Sequence, residues 1–215
     1  MIKDCKTAIL ISGSGTNLQA FIDAVENNNL NLNLLIVLSN NPHAYGLERA
    51  KRAGIEISCI EHAKFLSREL FDEAIIRELE HHEPDLLILA GFMRILSPIF
   101  IRKYFGKILN IHPSLLPKYP GLDTHQRALS AGDKWHGSTV HFVTEELDCG
   151  PQILQGRIAI NYDESADELK ERVQKIEHEI FPLAASWVST GKAKLKNGEC
   201  WIDGKVSLKP PLFTF

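Results

Sequence analysis

The sequence predicts an α/β fold with a mostly parallel central sheet, antiparallel strands added in the second half and helices on both faces. In the first half, short and continuously apolar runs alternate with segments whose apolar residues recur at helical spacing. Strands that are apolar along their whole length are typical of a parallel sheet covered on both sides. In the second half, two strand-like runs follow each other closely, which favours antiparallel pairing.

Four strands and three helices are predicted in the first half of the chain. The strands are short apolar runs, and each helix carries a stripe of apolar residues. Gly54 closes the second helix, and Ser67 is a suitable N-cap for the third. The predicted strands are 7–11, 34–39, 55–60 and 85–90, and the predicted helices are 17–28, 46–53 and 67–82.

The second half predicts strands, one long helix and a hairpin. The long helix is expected to start at a Ser165 cap and to kink at Pro182. Asn197-Gly198 is a strong signal for a tight hairpin turn. No repeat or linker is evident, so we expect one domain over residues 1–215. The predicted segments are a strand ending at Asn110, strands 136–144 and 152–160, a helix 164–188 and a hairpin within 192–202.

Charge and composition narrow the class of protein. The 215 residues carry a formal net charge of -3, so no overall basic field attracts nucleic acid. The four cysteines are scattered without a C-x-x-C pair, which argues against a zinc site and for reduced thiols. Neither a signal region nor an apolar stretch of membrane-spanning length is present. We expect a cytoplasmic protein without a metal, binding neither nucleic acid nor membrane.

The segment N-I-H-P-S-L-L-P, which begins at Asn110, is the most informative stretch. Asn110 and His112 end an apolar run, and residues two apart on a strand project to the same side. The carboxyl ends of strands in open α/β sheets face ligand crevices. A carboxamide donor beside an imidazole is suited to stabilising an oxyanion and moving a proton.

A glycine-containing loop, S-G-S-G-T-N at 12–17, joins the first strand to the first helix. Glycines let backbone N–H groups approach an anion, and the helix N-terminus adds partial positive charge. The loop lacks the lysine of a P-loop and the third glycine of a dinucleotide site, so a monophosphate fits best. A tight turn with a helix cap is the alternative.

Two further segments follow predicted strands. G-F-M-R-I-L at 91–96 could line a pocket for a flat ligand with an acidic tail, bound by Arg94; ordinary core with a surface arginine is the alternative. Asp148 lies in a turn before Gly150-Pro151. Its carboxylate could orient His112 and favour the cationic imidazole, although turn chemistry alone also explains an aspartate there.

Together these motifs resemble the phosphoribosylglycinamide formyltransferase family. The resemblance rests on 12–17, on A-G-F-M-R-I-L-S-P at 90–98, on N-I-H-P-S-L-L-P-K-Y-P-G at 110–121 and on 137–150, in matching order over essentially the whole chain. It implies a Rossmann-like formyltransferase fold, with a nucleotide-binding half of about 1–100 and a folate and catalytic half of about 101–215. The implied reaction is attack of the glycinamide ribonucleotide amine on the formyl group of 10-formyltetrahydrofolate, in purine biosynthesis.

The resemblance also implies roles for individual residues. The implied catalytic set is Asn110, His112 and Asp148. The implied ribonucleotide-binding residues are Gly15, Thr16, Asn17, Gln174 and Glu177, and the implied folate-binding residues are Arg68, Met93, Arg94, Ile95 and Asn110. Two positions depart from the family pattern: Cys149, where many relatives have Gly, and Asp123, where His is common. The family resemblance is compatible with a monomer or a homodimer.

Three alternatives remain at this stage. Formyltetrahydrofolate deformylase shares the catalytic core, with water in place of the amine, but carries an additional N-terminal domain for which a first strand at Thr7 leaves no room. Methionyl-tRNA formyltransferase would need an RNA-binding domain and a basic surface. The third alternative is a non-catalytic binding module. Such a module would be expected to lack one or more of the catalytic residues, whereas Asn110, His112 and Asp148 are all present.

Overall fold

The computed structural model describes residues 4–215, and the chain divides into two compact units, Met1–Leu109 and Asn110–Phe215. The single domain expected from the sequence stays a prediction. The first unit contains β1 (Cys5–Ile11), α1 (Thr16–Glu26), β2 (Leu32–Ser39), α2 (Tyr45–Arg52), β3 (Glu56–Cys59), a 3-10 turn (His62–Lys64), α3 (Arg68–Glu80), β4 (Leu86–Leu89) and α4 (Pro98–Lys103).

The strands of the first unit form a parallel sheet in the order β4-β1-β2-β3. Every residue of β4 is buried, and so are the last five of β1, as their apolar sequences require. Crossovers between parallel strands are right-handed as a rule, and with this strand order the rule puts α1 and α2 on one face and the returning α3 on the other. In agreement, α1 packs against α2, and α3 packs against α4. The predicted parallel sheet with helices on both faces is confirmed.

The second unit begins at the strand that carries Asn110 and His112. Its elements are β5 (Ile108–His112), α5 (Thr124–Ser130), β6 (Trp135–Phe142), β7 (Gln152–Ala159), α6 (Ala166–Ser189), β8 (Ala193–Lys196), β9 (Glu199–Ile202), β10 (Lys205–Val206) and β11 (Leu212–Thr214). β6 and β7 pair antiparallel, as predicted, and α6 packs on both. β11 pairs parallel to β7, and β8, β9 and β10 form a separate antiparallel sheet.

Local sequence signals account for the ends of several elements. The Ser67 hydroxyl accepts from the Leu70 N–H, and Ser165 forms a capping box with Glu168. Asn197 and Gly198 both have positive φ in the turn between β8 and β9, as a two-residue hairpin requires. α6 continues past Pro182 to Ser189. None of the helices in residues 4–215 is long and apolar enough to cross a membrane.

Candidate active site

Asn110 and His112 lie at the carboxyl end of β5, and both side chains reach the same cluster of buried groups. Asn110 Nδ2 lies 3.2 Å from His141 Nε2. His112 Nδ1 lies 3.3 Å from Asp148 Oδ2, and both of these side chains are less than a tenth exposed. The predicted proximity of His112 to Asp148 is therefore observed, although 36 residues separate the two in the chain.

Both nitrogens of His112 face groups that can only accept. Nε2 lies 2.8 Å from the carbonyl oxygen of Tyr119, so Nε2 donates a proton to that oxygen. Nδ1 faces the Asp148 carboxylate at ion-pair distance. A lone pair on Nδ1 would be repelled by the carboxylate, whereas a proton there is attracted. Both ring nitrogens of His112 are therefore held against acceptor oxygens.

A tight turn presents Asp148 to the histidine. Asp148 adopts the left-handed conformation with φ of 53°, which Asp tolerates better than most residues. Its Oδ2 also accepts from the Gly121 N–H at 2.9 Å. The turn closes at Gly150, where a Cβ would lie 1.7 Å from the Phe142 carbonyl oxygen. Cys149, between them, is exposed and unbridged.

His141 fixes the orientation of the Asn110 carboxamide. His141 Nδ1 donates to the Phe142 carbonyl oxygen at 2.9 Å. Burial is the main cause that lowers the pKa of His141, so the ring is neutral and Nε2 carries a lone pair. Nε2 therefore accepts from Asn110 Nδ2, which leaves the second Nδ2 hydrogen available to another acceptor.

Ser138 connects the predicted substrate residue Glu177 to the backbone of His112. Its hydroxyl oxygen lies 2.7 Å from the His112 carbonyl oxygen and 3.1 Å from Glu177 Oε1. Glu177 is buried on α6. Gln174 lies one turn earlier, so the two side chains share a helix face. This part of the second unit therefore brings Glu177 close to the strand that carries His112.

The loop at 12–17 has the geometry expected of an anion-binding helix start. Gly15 precedes α1 in the left-handed conformation, and it supplies no side-chain cap. α3, α4 and α6, by contrast, are each capped by a serine hydroxyl. A Cβ on Gly15 would lie 2.7 Å from Gly46 Cα, so a larger residue is excluded by space as well as by conformation. Thr16 and Asn17 form the first turn of α1.

The segment with Met93, Arg94 and Ile95 follows β4 and is exposed along all three residues. Met93 is 68% exposed and Ile95 is 55% exposed. Large apolar side chains left in contact with solvent beside an arginine are suited to a flat ligand with an anionic group. Arg68 begins α3, and its Nε lies 3.6 Å from Glu69 Oε1.

Taken together, the second unit holds a histidine, a carboxylate and an oriented carboxamide within one buried cluster. These groups can donate to a developing oxyanion and accept a proton. Among residues 4–215, no group of three or more His, Cys, Asp or Glu side chains is arranged to hold a metal ion.

The sequence did not point to Tyr119, Ser138 or His141. Tyr119 contributes a main-chain carbonyl, which any residue could supply. Ser138 and His141 stand three apart on β6, and simple alternation puts such residues on opposite faces. The pairing register of β6 with β7 shifts between Val140 and His141, and such a bulge changes the face to which the following side chains project. A bulge of this kind has no sequence signature here.

Comparison with known proteins places this geometry in a class of enzymes. The family model described as "Formyl transferase" matches residues 5–185. The chain therefore belongs to the formyl transferase family. It is 50% identical over 197 residues to the phosphoribosylglycinamide formyltransferase of Escherichia coli strain K12, covering 92% of this chain and 93% of that relative. Within the family, the chain belongs with the phosphoribosylglycinamide formyltransferases.

Solved structures agree with this placement. The phosphoribosylglycinamide formyltransferase from Coxiella burnetii, in complex with CHES, has a TM-score of 0.94 at 44% identity, covering 98% of this chain and 100% of that chain. A formyltetrahydrofolate deformylase from Pseudomonas syringae pv. tomato has a TM-score of 0.86 at 23% identity, covering 93% of this chain and 66% of that chain. At that identity, the likeness to the deformylase extends to the fold alone.

Proposed function

We propose that this chain transfers the formyl group of 10-formyltetrahydrofolate to the amine of glycinamide ribonucleotide, a step of purine biosynthesis. The observation that carries the proposal is His112, held between the Asp148 carboxylate and the Tyr119 carbonyl, in a chain of the formyl transferase family. The folate is a co-substrate, and no metal takes part in the proposed reaction.

The proposed chemistry is direct amine attack. The amine nitrogen forms a bond to the formyl carbon, and the formyl oxygen becomes an oxyanion in a tetrahedral intermediate. Asn110 Nδ2 and His112 Nε2 donate to that oxyanion, and one such donor typically contributes ~2.7–4 kcal/mol. The amine loses a proton to Asp148, directly or through water. The bond from carbon to folate N10 then breaks, and N10 takes up a proton.

The hydrogen bond from His112 to Tyr119 gives this mechanism a specific requirement. Nε2 already donates to the Tyr119 carbonyl at 2.8 Å. In the proposed mechanism, the formyl oxygen replaces that carbonyl as the acceptor. Before substrate binds, the Tyr119 carbonyl keeps the proton on Nε2 and holds the ring in place, so the ring is already oriented for the reaction.

We assign substrate contacts from the family resemblance together with the local geometry. Gly15, Thr16 and Asn17 are proposed to bind the ribonucleotide phosphate through the uncapped start of α1. Gln174 and Glu177 are proposed to bind the same substrate. The folate is proposed to bind to Arg68, Met93, Arg94, Ile95 and Asn110. Whether the active species is a monomer or a homodimer stays a prediction.

The deciding experiment separates transfer from hydrolysis. The protein is mixed with 10-formyltetrahydrofolate, and release of tetrahydrofolate is followed with and without glycinamide ribonucleotide. We expect release to depend on the ribonucleotide and one formyl group to appear on it for each tetrahydrofolate released. Release that ignores the ribonucleotide would instead identify a deformylase, in which water takes the place of the amine.

A further inference from the structure

In the first unit, four polar groups follow the carboxyl ends of its four strands. Met93 follows β4, Ser12 follows β1, Asn40 follows β2, and His62 lies in the 3-10 turn after β3. The strands lie in the order β4-β1-β2-β3. The four residues therefore succeed one another across the edge of the sheet in the same order as their strands.

A continuous chain of hydrogen bonds joins these four residues. The Met93 N–H donates to Ser12 Oγ at 2.8 Å, and Ser12 Oγ donates to Asn40 Oδ1 at 2.6 Å. Asn40 Nδ2 lies 3.1 Å from His62 Nδ1. Because Asn40 Oδ1 accepts from the serine, Nδ2 is the donor toward the histidine. Every bond thus runs in one direction, from Met93 to His62, which strengthens the series cooperatively.

Of the four residues joined by these hydrogen bonds, Ser12 alone belongs to the glycine-containing loop at 12–17. The backbone of Ser12 is held separately, because its N–H donates to the Gly91 carbonyl and its carbonyl accepts from Asn41 Nδ2. Removing the hydroxyl would therefore leave the backbone of the loop bonded to Gly91 and Asn41. It would release Met93, which starts the exposed apolar segment and is itself 68% exposed.

We propose that Ser12 is a positioning residue that couples the phosphate loop to the segment 91–95, so that a ligand on one orders the other. This inference rests on the proposed function, in which the loop binds the ribonucleotide and the segment binds the folate. Neither ligand touches the Ser12 side chain in this arrangement; the hydroxyl acts through the Met93 N–H and Asn40. Coupling between two sites is reciprocal, so each ligand should tighten the other.

The first test measures that coupling by calorimetry. Tetrahydrofolate is titrated into the protein with and without glycinamide ribonucleotide. We expect the ribonucleotide to tighten folate binding in the wild type, and Ser12→Ala to lose about fivefold of that tightening, the factor expected for one hydrogen bond. Ser189→Ala is the matched control. Ser189 is a half-buried serine at the end of α6 whose hydroxyl donates to the Ser186 carbonyl oxygen, so its loss should leave the coupling unchanged.

The second test needs no substitution that could impair folding. Hydrogen exchange of the Met93 amide is followed by NMR in the wild type, and glycinamide ribonucleotide alone should slow it. An unchanged exchange rate, or equal coupling in wild type and Ser12→Ala, would overturn the proposal. The formyl-transfer assay is a separate readout: a wild type that binds and couples both ligands without transfer contradicts the proposed function and leaves the coupling role supported.

Discussion

At the scale of single residues, the role proposed for His112 follows from the groups that its ring contacts. Its two ring nitrogens face a carbonyl and a carboxylate, neither of which can donate. His141 also lies near Asp148, with 3.9 Å between its Nε2 and Asp148 Oδ1, but that nitrogen accepts from Asn110 Nδ2 at the shorter distance of 3.2 Å, and burial lowers the pKa of this ring. The two histidines of this cluster therefore have different main partners: His112 contacts Asp148 at ion-pair distance, and His141 accepts from Asn110.

Replacing Asp148 by asparagine tests the proposed proton acceptor. Asp148→Asn removes the carboxylate that contacts His112 Nδ1 and should lower kcat by on the order of a hundredfold, since the group that accepts the amine proton is lost. Steady-state kinetics across pH would measure the loss.

The matched control for Asp148→Asn is Asp203→Asn. Asp203 has a nearly identical left-handed φ, 50° against 53°, and is exposed. Its replacement should leave kcat unchanged. A fully active Asp148→Asn variant would remove Asp148 from the mechanism.

At the scale of elements, the segment after β5 is held by side chains from β6 and β7. Thr139 Oγ1 donates to the Ser114 carbonyl and accepts from the Leu116 N–H. Gln155 Nε2 donates to the Leu116 carbonyl and to Thr139 Oγ1, each at 2.9 Å. These contacts fix the path of the chain immediately after His112, so the orientation of the catalytic strand end depends on two buried polar residues outside it.

Two substitutions at Thr139 separate the hydroxyl from the methyl group. Thr139→Val leaves the Leu116 N–H and the Ser114 carbonyl without partners in a fully buried site. It should lower the free energy of unfolding by about 2–4 kcal/mol. Thr139→Ser keeps the hydroxyl and should cost less than about 1.5 kcal/mol. Urea unfolding measures both; equal losses in the two variants would show that packing, not hydrogen bonding, stabilises this segment.

Elements with strong local signals were predictable from sequence, and those that depend on distant contacts were not. The structure places several predicted features within one or two residues of their expected positions. These features are the strands β1 to β4, the Ser67 and Ser165 caps and the Asn197-Gly198 turn. α4, α5 and β11 were not predicted. β11 is three exposed residues that exist as a strand because they pair with β7, and no local pattern encodes such a partner.

The candidate site shows the same division. The proposed catalytic residues Asn110, His112 and Asp148 were predictable because their side chains carry the chemistry. They also lie next to prolines and glycines that end a strand or form a turn. Tyr119 was not predictable, because it acts through its carbonyl oxygen, held on a loop by distant side chains. Arg127 Nη1 donates to the Pro120 and Leu122 carbonyls, and the Tyr119 hydroxyl donates to Asp133. Such long-range contacts form only once the chain has folded.

At the scale of the whole molecule, the candidate functions are divided unevenly between the two compact units. The unit 110–215 contains the three proposed catalytic residues, and it also contains a histidine pair, the half-buried His125 and the buried His136. His136 Nε2 lies 3.1 Å from His125 Nδ1, so one ring donates to the other, and the two rings cannot both be cationic without repulsion. Burial is the main cause that lowers each pKa, from 6.5 to about 4.

This pair makes stability depend on pH in a definite direction. Because the folded-state pKa values lie below the unfolded value, the unfolded chain binds more protons at acidic pH. The pair's contribution is fully present above about pH 6.5 and is lost as the pH falls toward 4, by roughly 3 kcal/mol for each ring that takes up a proton. Urea unfolding at pH 7.5, 5.5 and 4.5 should show this fall in the free energy of unfolding, and a His125→Gln/His136→Gln double variant should show a shallower fall.

The control is His43→Gln, at an exposed histidine, whose pH dependence of stability should match that of the wild type. A double variant that retains the full acid sensitivity would place its origin elsewhere, with buried His141 the next candidate because its pKa is lowered in the same direction.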